Sequence, residues 1–384
     1  MKGQLEIAIV GAGITGLTLA ALLARGRHAN ALKIRLIDAA KRPVFSSADD
    51  VSLRVSAIAN GSAELLDSVG AWSAVLEKRV SRYECMRVWD ESDAPDSGAA
   101  LRFDASEFAV PQLGFIVENV LVQDALLSVL DTCDVALQFE TEIKSLPEAD
   151  LVVGADGARS FVRDLVDIKT HRWPYEQTAV VTHLKTERQH DATAWQRFLR
   201  DGPLGMLPLA DGRISVVWTT TPDIAQQAMA ANDRELGRML TDASDRVLGD
   251  LTVAGPKGAF PLSAQHAEDY VRAGVALIGD AAHAIHPLAG QGANLGLQDT
   301  AELAGVIDAA IDSGLHPGDR PVLRRYERAR KGPNLTMLHF MTGLNRLFTT
   351  DSTVLGEIRS AGMRLFNRSG PVRERAVKVA LGVK

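Results

Sequence analysis

The 384-residue chain predicts an α/β protein: a Rossmann-like dinucleotide-binding domain interleaved with a β-sheet domain, followed by a helical C-terminal segment. Three observations carry that prediction. A β-rich run, Ile7-Ala8-Ile9-Val10, opens directly into glycines at 11, 13 and 16. Two further apolar strands end in glycine turns, "VGADGARS" and "IGDAAHAIHPLAGQGAN". Between these blocks, "TAVVTHLKTE" and "GRISVVWTTT" alternate apolar and polar residues at the period of an antiparallel sheet.

Composition narrows the class. Charged and apolar fractions of 23% and 46% are ordinary for a globular protein, and the length suits two domains with sizeable cores. A net charge of −6, with no basic block interleaved with aromatics, argues against nucleic acid as a partner. Cys85 and Cys133 are too few and too far apart for a disulfide framework or a C-x-x-C redox centre, which points to the cytoplasm. No repeat or low-complexity tract appears. The charge is uneven: residues 322–384 hold 13 Lys and Arg against 4 Asp and Glu. That segment reads either as a solvated helical surface or as a docking surface for something acidic.

The first element, "IAIVGAGITGLTLAALLA", runs from Ile7 to Ala24 without a charge. Eighteen apolar residues sit at the lower edge of a membrane span. Only Lys2 precedes them and Glu6 cancels it, so a signal peptide is a poor fit. The glycines fit a strand, a tight turn and a helix instead. Gly11 allows the turn, Gly13 leaves no Cβ in the way of a pyrophosphate, and Gly16 lets the helix approach the strand. "LKIRLID" supplies a second strand ending in Asp38, about 20 residues on, where a carboxylate accepts hydrogen bonds from ribose hydroxyls.

"SAIANGSAELLDSVGAWSAVL" then carries apolar residues at helical spacing, and "YECMRVWD" and "AALRFDA" read as strands around a polar turn. "NVLVQDALLSVL" is helical, and "ADLVVGADGARS" is strand then turn. Cys133 to Asp150 is a short connection with little room for further strands. "GVALIGDAAHAIHPLAGQGANLGLQDTAELAGVI" returns to strand, turn and helix, with Pro287 and Gly290 as turn residues and the helix opening near Gly292. The expected division assigns 1–72, 111–165 and 269–330 to the dinucleotide-binding domain. Residues 73–110 and 166–268 go to the sheet domain, and 331–384 to the basic helical segment. In that segment Leu355, Ile358, Gly362 and Leu365 share one helical stripe, with Arg359, Arg364 and Arg368 elsewhere around the turns. The stripe packs on the protein body or a neighbouring subunit, or it brings the chain to an anionic membrane surface.

The three glycine turns together resemble the class A flavoprotein aromatic hydroxylases, as their dinucleotide fingerprint, "DG" motif and "GD" motif. "LRVSAIANGSAELLDSVGAW", "HPLAGQGANLGLQD" and "RRYERARK" narrow the resemblance to the ubiquinone-biosynthesis flavin hydroxylases of the 2-polyprenylphenol type, over most of residues 5 to 330. The resemblance implies a p-hydroxybenzoate hydroxylase-like fold and a bound FAD. It also implies NADH or NADPH as a transient co-substrate without a domain of its own, and hydroxylation of a polyprenylated phenol ring by O2. In that chemistry the nicotinamide reduces the flavin, O2 adds as a C4a-hydroperoxide, and the ring attacks the distal oxygen in a pocket that excludes water. The protein would be cytoplasmic or peripheral to the membrane, with contacts to a quinone-biosynthesis assembly or to further copies of itself.

Carried over residue by residue, Gly11, Gly13 and Gly16 would hold the pyrophosphate and Asp38 the adenosine ribose. Arg54 would lie near the phosphates or the flavin edge, Asn119 beside the cofactor, and Asp156 and Gly157 along the groove. Asp280 would bind a ribityl hydroxyl. The turn at Pro287 and Gly290 and the helix opened by Gly292, Ala293 and Asn294 would face the flavin N1–C2=O edge, where negative charge develops on reduction. Leu207, Pro208 and Trp218 are pocket candidates or ordinary core. His283 and His286 have H-x-x-H spacing but no third ligand in sequence reach, so no metal is expected. No catalytic base can be named; His183 reads as a structural histidine on a strand. The alternatives are a hydroxylase of another phenol and a non-catalytic FAD-binding subunit of a quinone-biosynthesis assembly.

Overall fold

The computed structural model describes the chain apart from residues 1–3, 286–291, 350–352, 371–372, 376, 379–381 and 383–384. β1 (Leu5–Val10) is buried along its last four residues, as a parallel strand covered on both faces must be. It pairs in parallel with β2 (Leu32–Ile37) on one side and β9 (Leu151–Gly154) on the other. β8 (Val135–Gln138) extends the sheet past β2, while β16 (Val275–Leu277) and β15 (Val271–Arg272) extend it past β9. The short connection after Cys133 therefore does hold a strand. Helices α1 (Ile14–Arg25), α4 (Asn119–Leu130) and α8 (Gly292–Asp312) pack leucines such as Leu17, Leu126 and Leu303 into one core with this sheet. Each buried leucine contributes about 1.5–3 kcal/mol.

A three-stranded sheet, β3 (Val55–Ala59), β7 (Gly114–Glu118) and β4 (Ser81–Tyr83), lies beside that core. It corrects one expectation. Ser56–Ala59 reads from its periodicity as helix, but it forms most of β3, and α2 begins only at Asn60 (Asn60–Ser68), followed by α3 (Trp72–Leu76). The partner that makes it a strand is β7, far away in sequence, and a five-residue strand is too short for periodicity to announce. Residues 81–83, expected in the sheet domain, pair with β7 instead.

The large sheet has eight strands. β10 (Thr170–Thr186) and β14 (Leu251–Ala267) are its long pair. β17 (His283–Ala284) flanks β14, and β13 (Ile214–Thr220), β12 (Gly202–Pro208), β11 (Thr193–Leu199), β5 (Cys85–Asp90) and β6 (Leu101–Asp104) continue beyond β10. α5 (Phe161–Leu165) leads into it from β9. One face is covered by α6 (Pro222–Ala230) and α7 (Asp233–Ala243), the latter opened by an Asn232/Glu235 capping box. Near β5 and β11 the other face is covered by α9 (Arg320–Thr349) and α10 (Thr353–Arg368), with the Phe348 ring stacked on Phe198 at 4.0 Å. α9 runs unbroken through 330/331, where a boundary was expected.

The C-terminal stripe is also corrected. Leu365 is 72% exposed, and among the described side chains of α10 the buried ones are Met363 and Arg359. The Arg359 Nε lies 2.9 Å from Asp90 Oδ2, and both side chains are buried. A buried carboxylate at the end of β5 thus turns an arginine inward, which no helical hydropathy pattern reveals. The side chains of Leu355 and Ile358 lie outside the described residues. Among the described residues no helix is long and apolar enough to cross a membrane.

Candidate active site

A groove of about 1020 Å³ opens where β1, β2, β9 and β16 end, the position at which open α/β sheets bind ligands. The glycine loop forms its floor. Gly11 has φ +108°, and a Cβ there would lie 2.3 Å from the Ala155 carbonyl oxygen. Gly16 does not line the groove; it is the contact between α1 and the loop, where a Cβ would lie 1.9 Å from the Gly11 oxygen. Around a Cβ on Gly13 there is nothing within 4 Å, so this position faces open space.

The loop is held from two sides. Asp38 accepts the Ala12 N–H at 2.5 Å with one oxygen and the Ala40 N–H at 2.7 Å with the other, leaving lone pairs toward the groove. Gln123 donates to the Ala12 carbonyl at 2.9 Å. Gln123 was not singled out from the sequence, although its signal was there: it stands four residues after Asn119 on a largely apolar helix, so these two polar side chains share a face. Asn119 accepts the Ser56 hydroxyl at 2.7 Å, and its N–H donates to the Arg54 carbonyl at 3.0 Å. The Arg54 guanidinium lines the groove 5.7 Å from the Phe260 ring centre. The lining also includes Lys144, from the connection after β8 and outside every motif, and Arg159, which lies within "VGADGARS" but was not singled out.

Asp156 and Gly157 also line the groove. One oxygen of Asp156 caps α5, accepting from Phe161 N (2.7 Å) and Val162 N (3.1 Å). Its other oxygen is buried without a protein partner. Gly157, at φ +81°, has no neighbour within 4 Å of a Cβ position. Asp280, on a short turn after β16, opens onto the groove while protein closes in around it. That enclosure raises its carboxyl pKa above the ordinary value, against the opposing charges of His283 and Arg54.

Gly292 and Ala293 open α8 at the groove, where the first N–H groups of the helix lack intrahelical partners. Asn294 does something else. Buried, it accepts the Ala59 N–H at 3.0 Å and donates to the Ala57 carbonyl at 2.9 Å, locking α8 onto β3. His286, Pro287 and Gly290 lie outside the described residues. His283 is buried and donates through Nε2 to Asp299 at 2.5 Å.

Two of the three pocket candidates are core. Trp218 packs with Val216 and Leu204 under α6 and α7, and Pro208 shares the parity of Leu204 and Met206 on that same face. Leu207 points the other way, into a cluster with Val51, Ala57 and Ile116. The face it shares carries Gly205, Ser215, Val217, Val181, Gly258 and Phe260, and meets the groove where Arg54 approaches Phe260. His183 belongs to this face. It is fully buried, bonds the Ser52 carbonyl through Nε2 at 3.1 Å, and has its pKa lowered chiefly by burial. Of the two readings open for these residues, pocket or core, Trp218 and Pro208 take the core side of the sheet and Leu207 the opposite side.

Residues 4–332 match the family described as FAD binding domain. The chain belongs to this family of FAD-binding proteins. It is 35% identical to the 3-demethoxyubiquinol 3-hydroxylase of Escherichia coli (strain K12), with 98% of each chain covered. It is 32% identical to the mitochondrial ubiquinone biosynthesis monooxygenase COQ6 of Homo sapiens, covering 98% of this chain and 92% of that one. The protein is thus an FAD-dependent monooxygenase of the group that includes the ubiquinone-biosynthesis hydroxylases. Solved structures share the fold: Pseudomonas aeruginosa PqsL in complex with 2-aminobenzoylacetate aligns with TM-score 0.76 at 21% identity, covering 94% of this chain and 99% of that one. The p-nitrophenol 4-monooxygenase PnpA of Pseudomonas putida DLL-E4 aligns with TM-score 0.76 at 17% identity over all of both chains.

Proposed function

We propose that this FAD-dependent monooxygenase hydroxylates the aromatic ring of a polyprenylated phenol on the way to ubiquinone, using O2 and NADH or NADPH. The observation that carries the reading is end-to-end similarity to a demethoxyubiquinol hydroxylase, joined to a groove that ends on an apolar sheet face. FAD fits the groove: the cradle at Gly13 and Gly157 is open where a Cβ would stand, and a buried Asp156 oxygen awaits a donor. When bound, FAD supplies the oxygen-activating chemistry.

The chain's residues then divide the remaining work. The N–H groups of the glycine loop and the start of α1 receive the pyrophosphate, Asp38 the adenosine ribose and Asp280 the ribityl chain. Arg54 places a cation at the groove's inner end. Gly292 and Ala293 aim the α8 N-terminus at the edge of the ring system that gains negative charge, an interaction of about 0.3–2 kcal/mol. The phenol ring lies over Gly205, Val217, Val181, Gly258 and Phe260, which offer an apolar floor with small residues where the ring needs room. Water is kept out there by the Leu207 cluster and the buried His183–Ser52 contact. The division into a cofactor-binding unit and a sheet unit is part of this reading.

Purified protein should be yellow and release FAD on denaturation. Without a phenol it should oxidise nicotinamide slowly and return the oxygen as hydrogen peroxide; a prenylated phenol should speed the reaction and yield a hydroxylated ring by mass spectrometry. Accelerated turnover with no hydroxylated product from any prenylated phenol, but with one from an unprenylated phenol, would reassign the substrate.

A further inference from the structure

Asp299 is fully buried on α8, two turns in from the groove, and it accepts four hydrogen bonds. Its Oδ2 takes the His283 Nε2–H at 2.5 Å and the Gly279 N–H at 3.0 Å. Its Oδ1 takes Arg330 Nε at 2.8 Å and Asn334 Nδ2 at 3.0 Å. Arg330 is itself tied to the Asn334 side-chain oxygen at 2.9 Å, so the carboxylate sits in a closed, fully partnered cluster. Two of its donors belong to the turn that carries Asp280, one immediately before it and one three residues after.

That turn needs an anchor. Gly279 has φ +58°, and a glycine peptide can rotate into several conformations at little cost. Rotation of the 278–279 peptide would swing its N–H off Asp299 and move the next residue, Asp280, relative to the groove. The Thr15 side chain of α1 packs against both glycines: a Cβ on Gly279 would lie 3.2 Å from it, and one on Gly296 would lie 2.6 Å from its hydroxyl. The turn, α1 and α8 therefore interlock around a single buried carboxylate.

A cluster serving stability alone would not require charge, because well-packed apolar groups replace buried ion pairs without loss in many proteins. Charge is needed here to hold a backbone N–H and an imidazole in fixed directions. We propose that Asp299 is a positioning residue for the cofactor site, acting through the Gly279 N–H and the His283 ring to hold Asp280 at the FAD groove. This rests on the reading that Asp280 binds FAD.

The test is a double-mutant cycle on FAD affinity, read by titrating apoprotein with FAD, using Asp299→Asn, Asp280→Ala and both together. Asp299→Asn should weaken FAD binding about tenfold, and the double variant should bind no more weakly than Asp280→Ala alone. Effects that multiply overturn the positioning role. Unchanged affinity in Asp280→Ala instead overturns the groove assignment beneath it. Hydrogen exchange on the wild-type protein gives a second reading that survives a variant that does not fold. The Gly279 amide should be protected in the apoprotein as strongly as the α8 amides, since Asp299 holds it without FAD. A Gly279 amide that exchanges freely until FAD is added shows that the cofactor, not Asp299, orders the turn, and the proposal fails.

Discussion

Gly16 touches Gly11 so closely that a Cβ on Gly16 would stand 1.9 Å from the Gly11 carbonyl oxygen, while one on Gly13 would touch nothing. Glycines two and three residues apart in one motif therefore have different jobs. Gly13→Val should fold and leave apoprotein that fails to gain thermal stability when FAD is added, because the branched side chain fills ligand space. Gly16→Val should fail to fold, because backbone cannot yield by that distance. Differential scanning fluorimetry with and without FAD separates the two. An FAD-stabilised Gly13→Val protein would remove the pyrophosphate from that position.

Asp280→Ala removes a carboxylate that opens onto the groove. A hydrogen bond involving a charged group is worth about 1.5–3 kcal/mol, so FAD affinity should fall by roughly 10- to 150-fold. Fluorescence titration of apoprotein reads this directly.

Val217 and Trp218 are neighbours in β13 that face opposite ways. Enlarging Val217 to Phe should raise KM for the phenol and increase the hydrogen peroxide released per nicotinamide oxidised, with the melting temperature nearly unchanged. Trp218→Ala should instead cost about 3–5 kcal/mol of stability, as for other large buried residues, with coupling intact in the fraction that folds. Oxygen-electrode measurements with and without catalase report the coupling; equal uncoupling by both variants would refute the assignment of faces.

His266 is buried, and burial first, then the charge of His283, lowers its pKa to about 4. Its folded value lies below the unfolded value of about 6.5, so the unfolded chain takes up the proton first as pH falls. Stability should be unaffected above pH 6.5, decline as pH falls from there, and level off near pH 4, for a total of about 3 kcal/mol from this group. His266→Gln can keep the bond to Tyr270 without titrating, so urea denaturation of that variant should lose less stability between pH 7 and 4.5.

Asp90 and Arg359 form a buried pair that anchors α10. Asp90→Asn leaves the guanidinium buried against a neutral partner, a loss of about 3–5 kcal/mol. Limited proteolysis should then cut within residues 350–369 first, and deletion of 352–384 should yield insoluble protein. A soluble, stable truncation that loses only vesicle binding would return the segment to a membrane role.

What the sequence determined by itself is local. Gly11, Gly13 and Gly16 after four β-rich residues and Asp38 at the end of the next strand follow a spacing that is legible by itself, whereas the long run from Gly279 to Asn294 is read through its resemblance to the flavin hydroxylases. The groove's other parts come from strands brought together across the chain, and only the tertiary structure decided them. Ser56–Ala59 is a strand because β7 lies beside it, Val217 shares the face of Leu207 because of its register with Gly205, and Arg359 turns inward because Asp90 is waiting at the end of β5. Asp299 is the sharpest case. In sequence it is an acidic residue on a helix, and the four donors that define it come from residues 279, 283, 330 and 334, which meet only when α8, α9 and the turn after β16 are packed together.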